Sequence, residues 1–206
     1  MSKHRSIATL IALALTSTLA GAAELPSWDR EAAARLAVGT CATCHGAQGK
    51  SDIPKFPNLA GQPAPYIALQ LKAFRSHTRG DPDALAFMWG MAAPLDDSQI
   101  DALAEYYAAQ PVRPAVGGGS VSQTRGRSIF EQGLANAGVP ACSSCHGPNG
   151  EGMNDFPRLA GQHREYLLKQ LVSFQHNQRA NDPMRQFASK LSSDDMQALA
   201  AYIAKL

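Results

Sequence analysis

The chain has 206 residues, 45% of them hydrophobic, a balance that suits a folded globular protein and excludes disorder. The formal charge is +2, but Lys3 and Arg5 lie in a segment read as removable, which leaves 17 basic and 17 acidic residues. A chain with no basic excess excludes nucleic acid as a partner class.

Lys3, His4 and Arg5 open the chain, an uncharged apolar run covers residues 7–19, and Ala20, Gly21, Ala22 and Ala23 follow. This is the pattern of a secretory signal peptide over residues 1–23. The run of 13 residues is short for a bilayer span, so we expect cleavage rather than a retained anchor. No later segment is long and apolar enough to cross a membrane, so the mature protein is expected to be exported and soluble. A short leading helix is predicted over residues 28–38 and a middle helix over 64–76, with Tyr66, Leu69, Leu71 and Phe74 on its apolar side. A further helix is predicted over 99–109, with Ile100, Leu103, Ala104 and Tyr107 at helical spacing. Asp96 caps it, Gln99 stands at its third position, and Leu95 staples onto Ile100. Prolines and a glycine run at 111–121 read as a linker. Beyond it, helices are predicted over 122–136, 164–176 and 195–205. Ser192 caps the last, with Asp195 at its third position and Leu191 stapling onto Met196. No strand is predicted, so the fold class is all-α.

The chain repeats itself. Cys41-Ala42-Thr43-Cys44-His45 recurs as Cys142-Ser143-Ser144-Cys145-His146. Between Phe56 and Arg79, 11 of 24 positions match their counterparts 100 residues on, among them Tyr66/Tyr166, Gln70/Gln170 and Arg79/Arg179. The shift then becomes 96, because the first copy carries four extra residues between Arg79 and Phe87. The expected domains are residues 24–110 and 122–206, joined by 111–121. Cores of about 90 residues are small enough to need a staple.

Cys-x-x-Cys-His is the attachment pattern of c-type haem. Cysteines three apart share a face of one helical turn and reach two vinyl groups of one porphyrin. The adjacent His then reaches the iron. A redox disulfide is disfavoured, because no strand–helix–strand pattern surrounds either motif. A zinc site is disfavoured, because no second ligand pair stands at finger-like spacing. We therefore expect two covalently bound haem c groups, held by Cys41, Cys44, Cys142 and Cys145, with iron ligated by His45 and His146.

The sixth ligand separates carrier from enzyme, since a filled position favours electron transfer. At the shift of 96, Met88 aligns with Met184, and this matched pair is the expected distal ligand set. Met91 aligns with Phe187 and reads as packing. Met153 and Met196 lack a Met counterpart, and Met196 faces its helix core. His77, His163 and His176 occur in one copy each. They read as surface residues and remain rival ligands if the two haems differ. Ligating histidines commonly donate their other ring N–H to a carbonyl. Pro57 and Pro157 stand twelve and eleven residues beyond His45 and His146; either their carbonyls fill that role or the segment is only a turn.

With these residues in place, the sequence resembles the cytochrome c4 family of dihaem cytochromes over nearly the whole mature chain. The resemblance rests on both attachment motifs, both Phe-Pro-x-Leu-Ala-Gly-Gln segments, both methionines and the Gly138-Val139-Pro140-Ala141-Cys142 approach. It implies two tandem cytochrome c-like domains related by a pseudo-twofold axis, with His/Met ligation in each. It implies a periplasmic electron carrier, not an enzyme, that delivers electrons to a terminal oxidase. It also matches Pro57 and Pro157 to the carbonyl position that holds the His ring. Trp89 beside Met88 and the unusual leading helix depart from the pattern. Residues 24–113 carry 8 bases and 10 acids, and residues 114–206 carry 9 and 7. The resemblance gives weight to that asymmetry as a dipole that orients the molecule on its partners. The expected partners are redox proteins: a terminal oxidase, and an upstream quinol-oxidising complex or dehydrogenase. A peripheral membrane tether stays open. The alternatives are an electron-accepting subunit of a dehydrogenase, such as a sulfide-oxidising flavoprotein, and a dihaem peroxidase or thiosulfate-oxidising enzyme.

Overall fold

Helical periodicity in the sequence becomes ten helices among the described residues of the computed structural model, which are 30–113, 122–180 and 182–206. In the first half, α1 (Arg30–Leu36) runs through a π-helical turn (Ala37–Cys41) into α2 (Ala42–His45). It is followed by α3 (Ala64–Arg75), a second π-helical turn (Ala84–Met88), α4 (Trp89–Ala92) and α5 (Asp97–Ala108). The second half repeats the order with α6 (Ser122–Gln132), α7 (Ser143–His146), α8 (Arg164–Gln175), α9 (Asp182–Ala188) and α10 (Ser193–Ile203). Among the described residues only isolated β-bridges occur, so the all-α expectation holds. None of these helices is long and apolar enough to cross a membrane. Residues 1–23, Trp28 and most of the 111–121 linker lie outside the described residues.

The caps form as read from sequence. Asp96 accepts the Gln99 amide N–H at 2.8 Å while the Gln99 side chain accepts that of Asp96 at 2.9 Å. Ser192 and Asp195 make the same reciprocal pair. The leading helix of the second half ends at Gln132 rather than 136, because Gly133 turns left-handed (φ 76).

Each half has its own core. The first packs Ala33, Ala37, Ile67, Leu103, Ala104 and Tyr107, where α1 and α3 meet α5. The second packs Ile129, Phe130, Leu167, Met196, Leu199 and Ile203, where α6 and α8 meet α10. α6 approaches α10 so closely that a Cβ on Gly126 would stand 2.1 Å from the Ala198 carbonyl. Two packing expectations fail. Leu69 is 48% exposed, and Ile67 fills the apolar side of α3 instead. Met91 is 54% exposed rather than packed like its counterpart Phe187.

The halves meet across a pseudo-twofold axis. Arg79 and Arg179, equivalent in the repeat, pair with each other in an antiparallel bridge. Equivalent residues can pair only where the axis passes between them. Around that axis the same contacts are made twice. The Asn58 amide donates to the Gln162 side-chain oxygen at 2.9 Å, and the Arg158 amide to that of Gln62 at 3.0 Å. The two Gln side chains return the bond, to the Arg158 carbonyl at 2.7 Å and the Asn58 carbonyl at 3.0 Å. Arg79 reaches Tyr166 and Gln170, and Arg179 reaches Tyr66 and Gln70.

Candidate haem sites

Each Cys-x-x-Cys-His sits on a single helical turn that ends at a glycine. Gly46 (φ 75) stops α2, and Gly147 (φ 86) stops α7. No side chain fits at Gly46, where a Cβ would lie 2.0 Å from the Lys50 carbonyl. The turn delivers Cys41, Cys44 and His45 together, and Cys142, Cys145 and His146 likewise. All four cysteines are half-buried and none is joined to another in a disulfide. Burial pushes the Cys41 thiol up, and that of Cys142 up to about 11.

Both histidines are buried, and each is pinned the same way. His45 Nδ1 lies 3.0 Å from the Pro57 carbonyl, and His146 Nδ1 lies 3.0 Å from that of Pro157. A carbonyl can only accept, so Nδ1 carries the proton and Nε2 presents its lone pair. Burial lowers both imidazole pKa values against the opposing pull of these carbonyls, which favours the neutral, ligating form. The Phe-Pro-x-Leu-Ala-Gly-Gln segment thus serves two purposes. Its Pro carbonyl holds the ring, and its Gln docks the other domain.

The first site is walled by aromatic rings. Phe56 packs edge-on against His45, with centroids 6.1 Å apart, and against Phe87 at 5.4 Å. This chain of rings carries the wall from the proximal histidine to the residue before Met88. Met88 ends the second π-helical turn and packs beside Phe74, Ala84 and Ala92. Trp89 donates from Nε1 to the Arg79 carbonyl at 2.8 Å and stacks on His77 at 4.1 Å. In the second domain Phe156 meets His146 at 6.3 Å, and half-buried Met184 lies in α9. Two thiols on one turn, a buried imidazole with Nε2 presented, and an apolar wall fit a covalently attached haem.

The rival histidines take other places. His77 and His176 are exposed. His163 departs from the surface reading: it is half-buried, with Nε2 3.0 Å from the Ser51 carbonyl of the first domain. The contact residues Asn58, Gln62, Gln162, Arg79 and Arg179 were not singled out from sequence as an interface. The signal was present in polar residues kept in both copies with no part in haem attachment: Gln62/Gln162, Gln70/Gln170, Tyr66/Tyr166 and Arg79/Arg179.

The cytochrome c family model matches the chain twice, over residues 30–108 and 123–206. A cytochrome c4 from Stutzerimonas stutzeri is 39% identical, with 94% of this chain and 96% of that one covered. A thiosulfate dehydrogenase electron acceptor from Stutzerimonas stutzeri (strain A1501) is 37% identical over 100% of this chain and 96% of its own length. A solved cytochrome c4 structure from Acidithiobacillus ferrooxidans superposes with a TM-score of 0.76 at 41% identity, covering 81% of this chain and 98% of that one. With both motifs seated in matching folds, the chain belongs to the cytochrome c4 family, as an electron carrier with two covalently bound haem c groups.

Proposed function

We propose that this protein works in the periplasm, taking single electrons from an upstream quinol-oxidising complex or dehydrogenase and delivering them to a terminal oxidase. Haem supplies one-electron cycling between ferrous and ferric iron. Cys41, Cys44, Cys142 and Cys145 attach the two groups. His45 and Met88 ligate the first iron, and His146 and Met184 the second. Both positions on each iron are then filled by the chain, which favours electron transfer over substrate binding. The domains are residues 24–110 and 122–206, with 111–121 between them and 1–23 removed on export.

The observation that carries this reading is the doubled proximal site: two buried histidines held by equivalent Pro carbonyls at the same 3.0 Å. Two like sites in one chain suit a carrier that accepts and releases electrons without rearrangement. A second reading, acceptor for a thiosulfate-oxidising dehydrogenase, is supported by the 37% identical relative that bears that role. Stopped-flow mixing separates the two. The reduced protein is mixed with oxidase-bearing membranes, and the oxidised protein with thiosulfate and its dehydrogenase. Rapid oxidation in the first arm and slow reduction in the second is the expected result. The reverse pattern overturns the oxidase assignment in favour of the second reading.

A further inference from the structure

The two domains differ at one buried position beside the attachment cysteine. Tyr107 lies in α5 and is 3% exposed, in the same cluster as Cys41. Its hydroxyl finds no nitrogen or oxygen to bond among the described residues, although buried tyrosine hydroxyls ordinarily find a partner. The side chain facing it is Cys41. At the equivalent position 96 residues on, α10 carries Ile203, which has no polar atom to offer.

We propose that the Tyr107 hydroxyl donates a hydrogen bond to the Cys41 sulfur once that sulfur is a thioether, and so tunes the first haem alone. This rests on the reading that Cys41 attaches the first haem. A free thiol can donate as well as accept, but a thioether has lost its proton and can only accept weakly. Attachment therefore fixes the direction of the bond. Burial pushes the Tyr107 hydroxyl pKa up, so the donor keeps its proton. In the second domain the Cys142 sulfur instead lies 3.9 Å from the Ile129 carbonyl oxygen. One sulfur thus faces the positive end of an O–H dipole, and the other faces the negative end of a C=O dipole. Positive potential at the porphyrin edge disfavours the ferric state, and hydrogen bonding around the site is one of the protein's levers on potential. Tyr107 should raise the potential of the first haem and leave the second unchanged.

The test is Tyr107→Phe in the haem-loaded protein, which keeps the ring and removes only the hydroxyl. Mass spectrometry first counts the attached haems and locates them by peptide mapping. A redox titration follows, with the two waves assigned by the haem methyl resonances of each domain. We expect two attached haems and an unchanged second wave. The first wave should move down by about threefold in its equilibrium constant, or about 28 mV at 59 mV per decade for one electron. The carbon–sulfur stretch of the first haem in the resonance Raman spectrum should respond to deuterium exchange in the parent and not in the variant. Two attached haems with an unmoved first wave and a deuterium-insensitive stretch would overturn the proposal. A peptide map with Cys41 unlinked would overturn the attachment reading, and the proposal with it.

Discussion

Around the first haem site, Phe56 and Phe87 pack ring to ring, Trp89 ties the methionine segment to Arg79, and Tyr107 stands behind Cys41. Around the second, the methionine segment is four residues shorter, Arg185 follows Met184, and Ile203 stands where Tyr107 does in the first. Phe156 is left 40% exposed there. What the two sites share is the attachment turn, the pinned histidine and the docking glutamine. The shared residues dock the partner domain and, on the proposed attachment, hold the cofactor; on that reading the unshared ones distinguish one haem from the other. The domain contact is also lopsided in charge. Asp83 of the first domain pairs with Lys55 of its own domain and with Lys169 of the second, and buried Asp81 pairs with Arg79 of its own domain. Its acids come from the first domain, which carries the acidic excess.

The largest effect is expected at the proposed distal ligands. Met88→His should lower the potential of the first haem by a sizeable share of the about 0.8 V that axial ligands span, and Met184→His should do the same to the second. Each substitution should leave the other wave in place. A titration in which either variant moves both waves equally would break the picture of two separate sites.

Next comes the axis. Arg79 and Arg179 are both buried, but among the described residues only the first is in salt-bridge contact with a carboxylate, that of Asp81. Asp81→Ala should cost about 3–5 kcal/mol in denaturant unfolding, because it leaves a buried guanidinium without its counter-ion. Gln62→Ala and Gln162→Ala should each cost less, about 1–3 kcal/mol, by orphaning a buried amide and carbonyl. Gln162→Ala should cost somewhat more, since Gln162 also accepts the His163 amide N–H, a bond that Pro63 cannot offer Gln62. A larger loss for Gln62→Ala would show that the reciprocal bonds are not energetically alike.

Acid sharpens the same asymmetry. Burial alone would raise the pKa of Asp81, but Arg79 outweighs it and holds the carboxyl below its ordinary value. A carboxylate depressed in the folded state contributes stability above its unfolded pKa of about 3.9, and that contribution is lost as pH falls through the lower folded value. The melting temperature should therefore drop more steeply on the acid side in the parent than in Asp81→Asn.

The helices and caps were legible in the sequence because their causes are local. Asp96 with Gln99 and Ser192 with Asp195 announce helix starts whatever lies around them. The attachment motifs were legible because porphyrin geometry fixes their spacing. The domain contact was not, since Gln62 and Arg79 act on residues about a hundred positions away, and one sequence offers no spacing rule for that. Leu69 was misplaced for a related reason: helical periodicity marks an apolar stripe but not where its edge meets solvent. The role of Trp89 as a tie to the axis follows from the bend that brings the Arg79 carbonyl to its indole, a tertiary fact.

The smallest effects test the local rules. Asp96→Ala and Ser192→Ala should each cost about 1 kcal/mol, equally in the two domains.

The central claim is that both irons are closed by a histidine and a methionine of the chain. Spectra and a redox titration of the purified haem-loaded protein test it most directly. Two low-spin haems, each losing methionine ligation only when its own Met88 or Met184 is replaced by Ala, are expected. A high-spin haem in the resting protein, or unchanged ligation in either variant, would contradict it.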